Sequence, residues 1–301
     1  MAFTFKSRTS VAILGILTAT ASACSTALAP LSSGSSLMTG TLNTPIVQHR
    51  FTLKFNANSR KLGHNAVSRT PIAASADLRA NCSPIADQGQ LGSCTAFAWG
   101  KGMAEFLAKK KGDNTALSAL FFYVKELEME NHLGQDAGAE SMETGSKVLQ
   151  QFGDAPNTDM PYLSSADQMN SAKIKKALST LPNAKQLADG AAYKSGKMVS
   201  VPDLAAAKEQ LAKGSPVAMG IMVYDSFQSA QHGNIPVPNI KEEQLLGGHA
   251  VLAVGYDDAK QVLIMRNSWG TSWGDKGWFY LPYGYINKDL VLDCWSPEAT
   301  R

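Results

Sequence analysis

The apolar residues of this chain change their spacing part-way along, and that change limits the fold more than any other feature. From Ser93, "SCTAFAWGKGMAEFLAKKKG" sets Ala96, Phe97, Met103, Phe106 and Leu107 close to a 3.6-residue repeat. Ser93 stands as a candidate N-cap and Gly112 as a stop after a Lys run, so the pattern predicts a helix over about 94–110. "SALFFYVKELEMEN" (118–131) and "GSKVLQQFG" (145–153) predict two more. In the second half "SPVAMGIMVY", "GHAVLAVGYDD", "QVLIMRNSW" and "KGWFYLPYG" are β-type runs punctuated by Gly, Asp and Pro, as in an antiparallel meander. A helical half followed by a β half predicts α+β packing with a cleft between two lobes.

The first 75 residues read differently. Residues 1–23 carry Lys6 and Arg8 and then "VAILGILTATASA", whose 13 residues fall short of the roughly 20 that a membrane-spanning helix needs. This is the pattern of a secretory signal peptide. It ends "ASAC", which resembles a bacterial lipobox with Ala21 in place of the more usual Leu. Two outcomes stay open, lipid attachment at Cys24 or cleavage after Ala23 and release. In both the protein is exported, to the bacterial cell envelope or beyond it, and touches a membrane only through that N-terminal anchor. Residues 24–75 read as a tether, rich in Ser, Thr and Gly, followed by a short docking segment. In "HRFTLKF", Phe51, Leu53 and Phe55 alternate with Thr52 and Lys54, the period of a half-buried strand. A segment within 46–75 lying in the cleft is therefore an expectation.

The hydrophobic share of 44% suits a soluble globular protein with a sizeable core. Lys6 and Arg8 supply two of the three formal positive charges, so nothing asks for nucleic acid. Four cysteines in an exported chain suggest disulfides. With Cys24 lipidated, Cys82, Cys94 and Cys294 remain and one thiol is left over. Cys82 and Cys294 are either bridged or buried as free thiols.

The leftover thiol has a use. A Cys in the first turn of a helix meets unpaired N–H groups and the positive end of the macrodipole, which favour its thiolate. Cys94 is thus a candidate nucleophile, and acyl transfer further requires a proton carrier and oxyanion donors. His49 and His64 belong to the N-terminal segment, and His132 and His232 to polar loops, whereas His249 heads an apolar strand. Asn267, at the end of the next strand, could accept a hydrogen bond from its imidazole, and Trp269 could shield that bond from water. Gln88, six residues before Cys94, offers an amide N–H beside the Cys94 backbone N–H, with Gly89 and Gly92 letting the chain turn between them. The Cys and His residues show no zinc-type spacing, and the glycines do not open a βαβ phosphate loop.

The motifs "DQGQLGSC", "GGHAVLAVGY" and "RNSWGTSWGDKGW", in this order, resemble the papain family of cysteine peptidases over about residues 78–297. The resemblance implies a peptidase domain at 76–297, with a helical lobe at about 76–180 and an antiparallel β-barrel lobe at about 190–297. Cys94 and His249 would face each other across the cleft. It further implies Cys94 as nucleophile, His249 as general acid/base, Asn267 as orienting group, Gln88 as oxyanion donor, polypeptide substrates and no cofactor. Gly138 and Ala139 would wall the substrate backbone and Ala250 would border a specificity pocket. Asp293, near the floor of that pocket, would favour Lys or Arg. The chain departs from the family in several places. Thr95 replaces a Trp, Leu91 replaces a Cys, and the bridging partner of that Cys has no counterpart in "GQDAGAES". Gly248 stands where papain has Asp, and the long helical propeptide is missing. Two alternatives remain, a catalytically weak or inactive binding or adhesion module and a transferase of the same fold.

Overall fold

A computed structural model describes residues 49–54, 71–228 and 230–298. The signal peptide at 1–23, Cys24 and the tether at 25–45 lie outside the described residues.

Helix α1 begins as Cys94–Ala96, widens into a π-helical stretch at Phe97–Ala104 and closes as Glu105–Lys109. The sequence repeat predicts α geometry throughout, and the middle differs because it is buried on every side. Phe97, Trp99 and Met103 are all covered, and Gly102 faces Leu252. Packing rather than amphipathic period therefore decides its winding. Ser93 occupies the N-cap position without capping, since its hydroxyl pairs with Tyr162 Oη at 2.6 Å.

Helix α2 runs Ala119–Met129, with Ser118 Oγ accepting from Phe121 N, and is buried along most of its length. Helix α3 runs Met142–Gln151, starting before the predicted 145 because Ser141 caps it through Thr144 N. Three further helices, α4 Ser171–Ser179, α5 Ala184–Gly190 and α6 Leu204–Ala212, bury only one or two residues each and leave a faint apolar signal.

The strands are β1 Ser75–Asp77, β2 Met198–Ser200, β3 Val217–Tyr224, β4 Leu245–Asp257, β5 Val262–Arg266, β6 Trp278–Pro282 and β7 Val291–Pro297. They form one antiparallel sheet in the order β2-β7-β3-β4-β5-β6, with β1 attached to β4. The predicted meander is β3 to β6. The expected barrel is instead an open sheet, because its two end strands, β2 and β6, each pair along one side only.

Two apolar cores flank this sheet. One gathers Trp99, Phe106, Phe121, Phe122 and Tyr123, and the other gathers Ile221, Tyr256, Phe279 and Leu281. Cys82 belongs to the first and Cys294 to the second, and both are buried free thiols, so they are not bridged. The contact of α1 with β4 at Gly102 and Leu252 sets the helix that starts at Cys94 against the strand that carries His249.

Candidate active site

His249 lies in β4, and Asn267 directly follows β5. The pairing of Leu252 with Arg266 brings the two side chains together. His249 Nε2 donates to Asn267 Oδ1 at 2.9 Å inside the protein, which leaves Nδ1 buried without a partner. Asn267 Oδ1 also accepts from Ser268 N at 2.8 Å. Trp269 stacks on the imidazole with ring centroids 4.8 Å apart. Ala250, next along β4, faces Gly220 across the β3 pairing, and its amide acts on the Cys94 sulfur together with the amides of Thr95 and Leu53.

The appearance of Leu53 in that set reflects a segment laid over the site. His49 also stacks on Trp269, centroids 4.9 Å apart, and its Nδ1 pairs with Gly89 O at 3.1 Å. Arg50 meets Asp136 at 2.5 Å, and Thr52 Oγ1 donates to Gly92 O at 2.8 Å. Leu53 N donates to Gly248 O and Lys54 N to Ala139 O, each at 3.1 Å. The backbone can come this close only beside glycine. A Cβ on Gly248 would stand 2.2 Å from Leu53 O, and one on Gly138, whose φ is +70°, would stand 2.4 Å from Thr52 O. The Leu53 side chain, 3% exposed, reaches Gly220, where Leu292 and Met142 complete the surroundings. Of the segment expected within 46–75, residues 49–54 thus lie against Gly92, Gly248 and Ala139, while 46–48 and 55–70, Phe55 among them, fall outside the described residues.

Burial sets the electrostatics of the site. Burial pushes the Cys94 thiol up to about 11, against the pull of the neighbouring amides. Burial also pulls His249 down to about 4, opposed by its bond to Asn267. Desolvation thus outweighs the amides at Cys94 and the Asn267 bond at His249. His49 is itself lowered by burial.

Gln88 is fully buried. Its Nε2 gives one hydrogen to Leu91 O at 3.0 Å, and its Oε1 accepts from Ser268 Oγ at 2.5 Å. Thr95, at the position of the family's Trp, donates from Oγ1 to Glu126 Oε2 at 2.7 Å, both buried, and burial holds that carboxyl well above the usual range. Asp293 is buried, with Oδ2 accepting from Trp295 Nε1 at 3.0 Å. Residue-by-residue reading overlooks Ser268, Asp136 and Tyr162, whose Oη donates to Gln88 O at 2.9 Å. Only Ser268, beside Asn267, carries a local signal.

Known proteins supply the family. The papain family cysteine protease model matches residues 72–291, well over half of the chain. This chain belongs to the papain family. It is accordingly a cysteine peptidase, a hydrolase of peptide bonds. An uncharacterised peptidase C1-like protein of Acanthamoeba polyphaga mimivirus is 33% identical over 217 residues, 69% of this chain and 68% of that protein. Mouse cathepsin K is 30% identical over 71% of this chain and 60% of its own length. Among solved structures, xylellain, a cysteine protease from Xylella fastidiosa, superposes with a TM-score of 0.71 at 31% identity, covering 84% of this chain and 98% of that one. Digestive procathepsin L 3 of Tenebrio molitor, at 23% identity and a TM-score of 0.58, covers 82% of this chain and 76% of that one and shares the fold.

Proposed function

We propose that this papain-family member hydrolyses polypeptides through an acyl-enzyme on Cys94 and that residues 49–54 hold it latent. The observation that carries the reading is the His249–Asn267 bond, which fixes the Nε2–H tautomer and leaves a buried Nδ1 lone pair free for the thiol proton. The sulfur attacks the scissile carbonyl carbon, forming the S–C bond, while its proton passes to Nδ1. The oxyanion is met by the Cys94 backbone N–H and by the second Nε2 hydrogen of Gln88, whose amide is oriented by Ser268. Collapse breaks the C–N bond, and His249 returns the proton to the leaving amine. Water then attacks the thioester, giving a proton to His249 and hydroxyl to the acyl group, and the thiol is restored. Trp269 keeps the His–Asn bond dry.

An extended substrate would use the groups that residues 49–54 use, Gly248 O and Ala139 O, against the Gly138–Ala139 wall. The burial of Leu53 among Gly220, Leu292 and Met142, beside Ala250, supports a pocket for an apolar side chain over the basic preference that Asp293 suggested. The leader supports export, with Cys24 as lipid anchor or Ala23 as cleavage point. Labelling with radioactive palmitate in cells separates these, since only the anchored form takes up label and loses it in Cys24→Ala.

The test is hydrolysis of a fluorogenic peptide library by the full chain carrying Leu53→Ala, which weakens the cover, with and without Cys94→Ala, and mass spectrometry of adducts. Turnover that disappears in Cys94→Ala, with an acyl mass on Cys94 in the parent, is the expected result. Turnover surviving in Cys94→Ala overturns the mechanism, and labelling of Cys94 without any turnover identifies a binding module.

A further inference from the structure

The carboxylate of Asp136 is a junction of four chain segments. Oδ1 accepts from Gly92 N–H at 2.9 Å and from Tyr123 O–H at 2.7 Å, while Oδ2 accepts from Arg50 at 2.5 Å. Tyr123 Oη in turn accepts from Gly138 N–H at 3.0 Å. Gly92 lies two residues before Cys94 and four after Gln88, and Gly138 precedes Ala139. A run of hydrogen bonds thus leads from the loop that presents Cys94, through one carboxylate and one phenol, to the wall against which Lys54 N bonds Ala139 O. The Asp136 side chain is 11% exposed, so these bonds are shielded from competing water.

Gly92 is held by two side chains, Thr52 at its carbonyl and Asp136 at its amide. Thr52 belongs to the covering segment and departs when the cleft opens. Asp136 belongs to the domain and stays. In the open enzyme the Asp136–Gly92 bond is then what ties this part of the loop to the wall. Asp136 also lies within "GQDAGAES", the stretch in which this chain has no Cys, and it reaches the residue next to Leu91, the other position without one. An ionised acceptor with two donors on one oxygen is a strong non-covalent tie, because charge-assisted bonds are shorter and stronger than neutral ones.

We propose that Asp136 is a positioning residue whose carboxylate holds the Gly92 amide, and with it the Gln88-to-Cys94 loop, in register with the Gly138–Ala139 wall. The proposal rests on the reading of Cys94 as nucleophile. Arg50 shares the carboxylate, so removing Asp136 alone would loosen both the cover and the loop. The comparison is therefore made in the full chain on an Arg50→Ala background, where the ion pair is already gone.

Three chains are measured: Arg50→Ala, Arg50→Ala with Asp136→Asn, and Arg50→Ala with Asp136→Ala. The readouts are kcat and KM for one fluorogenic peptide and the rate of Cys94 alkylation by iodoacetamide, which needs no peptide. The Asn variant keeps an acceptor oxygen for Gly92 N–H and should stay within about threefold of the background. The Ala variant should lose at least about tenfold in kcat, with a smaller change in KM and a parallel fall in alkylation. Retention of kcat and alkylation rate within twofold in a folded Ala variant, or equal losses in the Asn and Ala variants, overturns the proposal. If the Ala variant does not fold, Arg50→Ala with Tyr123→Phe is read in its place. There a fall of threefold or more supports the tie and an unchanged rate overturns it. A series that alkylates as expected while no chain cleaves peptide leaves the positioning role standing and removes the peptidase reading.

Discussion

Replacing Leu53 with Ala tests how firmly residues 49–54 cover the sulfur. Leu53 is 3% exposed, and its branched end lies against Gly220 among Leu292 and Met142. Truncation removes three buried carbons, worth about 0.8 kcal/mol each, so the docked state weakens by about 2.4 kcal/mol. At about 1.4 kcal/mol per tenfold, the open fraction rises by about 50-fold. The Arg50 side chain is 53% exposed, so its ion pair adds at most about 1 kcal/mol, and Arg50→Ala alone should shift opening by about fivefold or less. The assay is the second-order rate of Cys94 alkylation by iodoacetamide at pH 7, read by mass spectrometry on the full chain. Cys82 and Cys294 serve as internal controls, since burial raises both thiols and leaves them protonated. The Leu53→Ala rate should rise by about 50-fold with both controls silent. A rate within twofold of the parent would mean that the segment does not gate the sulfur.

Other expected outcomes touch the site and its supports. Asn267→Ala leaves His249 Nε2–H buried without an acceptor, a cost of about 1–3 kcal/mol, so kcat should fall about 10- to 100-fold while the circular dichroism spectrum is unchanged. Ser268→Ala strips the donor from Gln88 Oε1 and should lower kcat about tenfold with KM little altered, as steady-state kinetics will read. Asp154 is fully buried with neither oxygen hydrogen-bonded, and burial, with help from Glu105, holds its carboxyl well above the usual range. A raised folded pKa means that the folded chain keeps a proton the unfolded chain releases, so stability is full below the unfolded value and is lost as pH rises toward the folded one. As pH rises above the ordinary carboxyl value the parent should therefore lose stability relative to Asp154→Asn in urea titrations. Parallel slopes for the two chains would remove that assignment. Among otherwise equal peptides, one with Leu at the pocket position should be cleaved faster than one with Arg, by kcat/KM.

The parts of the site legible in the sequence are those fixed by local pattern. Cys94 follows a glycine turn and starts a helix, His249 heads an apolar strand, and Asn267 ends the next one, so each could be located without knowing its neighbours. Asp136 and Tyr162 could not, because what gives them meaning is a partner 44 or 74 positions away in the chain. The middle of α1 departs from its predicted winding for a similar reason, being packed on all sides. Helix α6 went unanticipated, because Ala207 and Leu211 are its only buried residues. Whether the sheet closes depends on its end strands meeting, which no single strand encodes. The segment at 49–54 was foreshadowed by alternation alone, while Gly248, which receives it, read only as a departure from the family.

A sheet left open has two rims with unsatisfied ladders, and such rims invite a stranger's strand. Here both are blunted by the chain itself. Strand β2 is three residues long, and Gln150 Oε1 accepts from Met198 N at 3.3 Å. On the far side Ile235 N donates to Tyr280 O at 3.2 Å, and Pro282 ends the strand without an amide hydrogen to offer. An openness that would otherwise promote aggregation thus coexists with a surface on which another copy finds little ladder to extend.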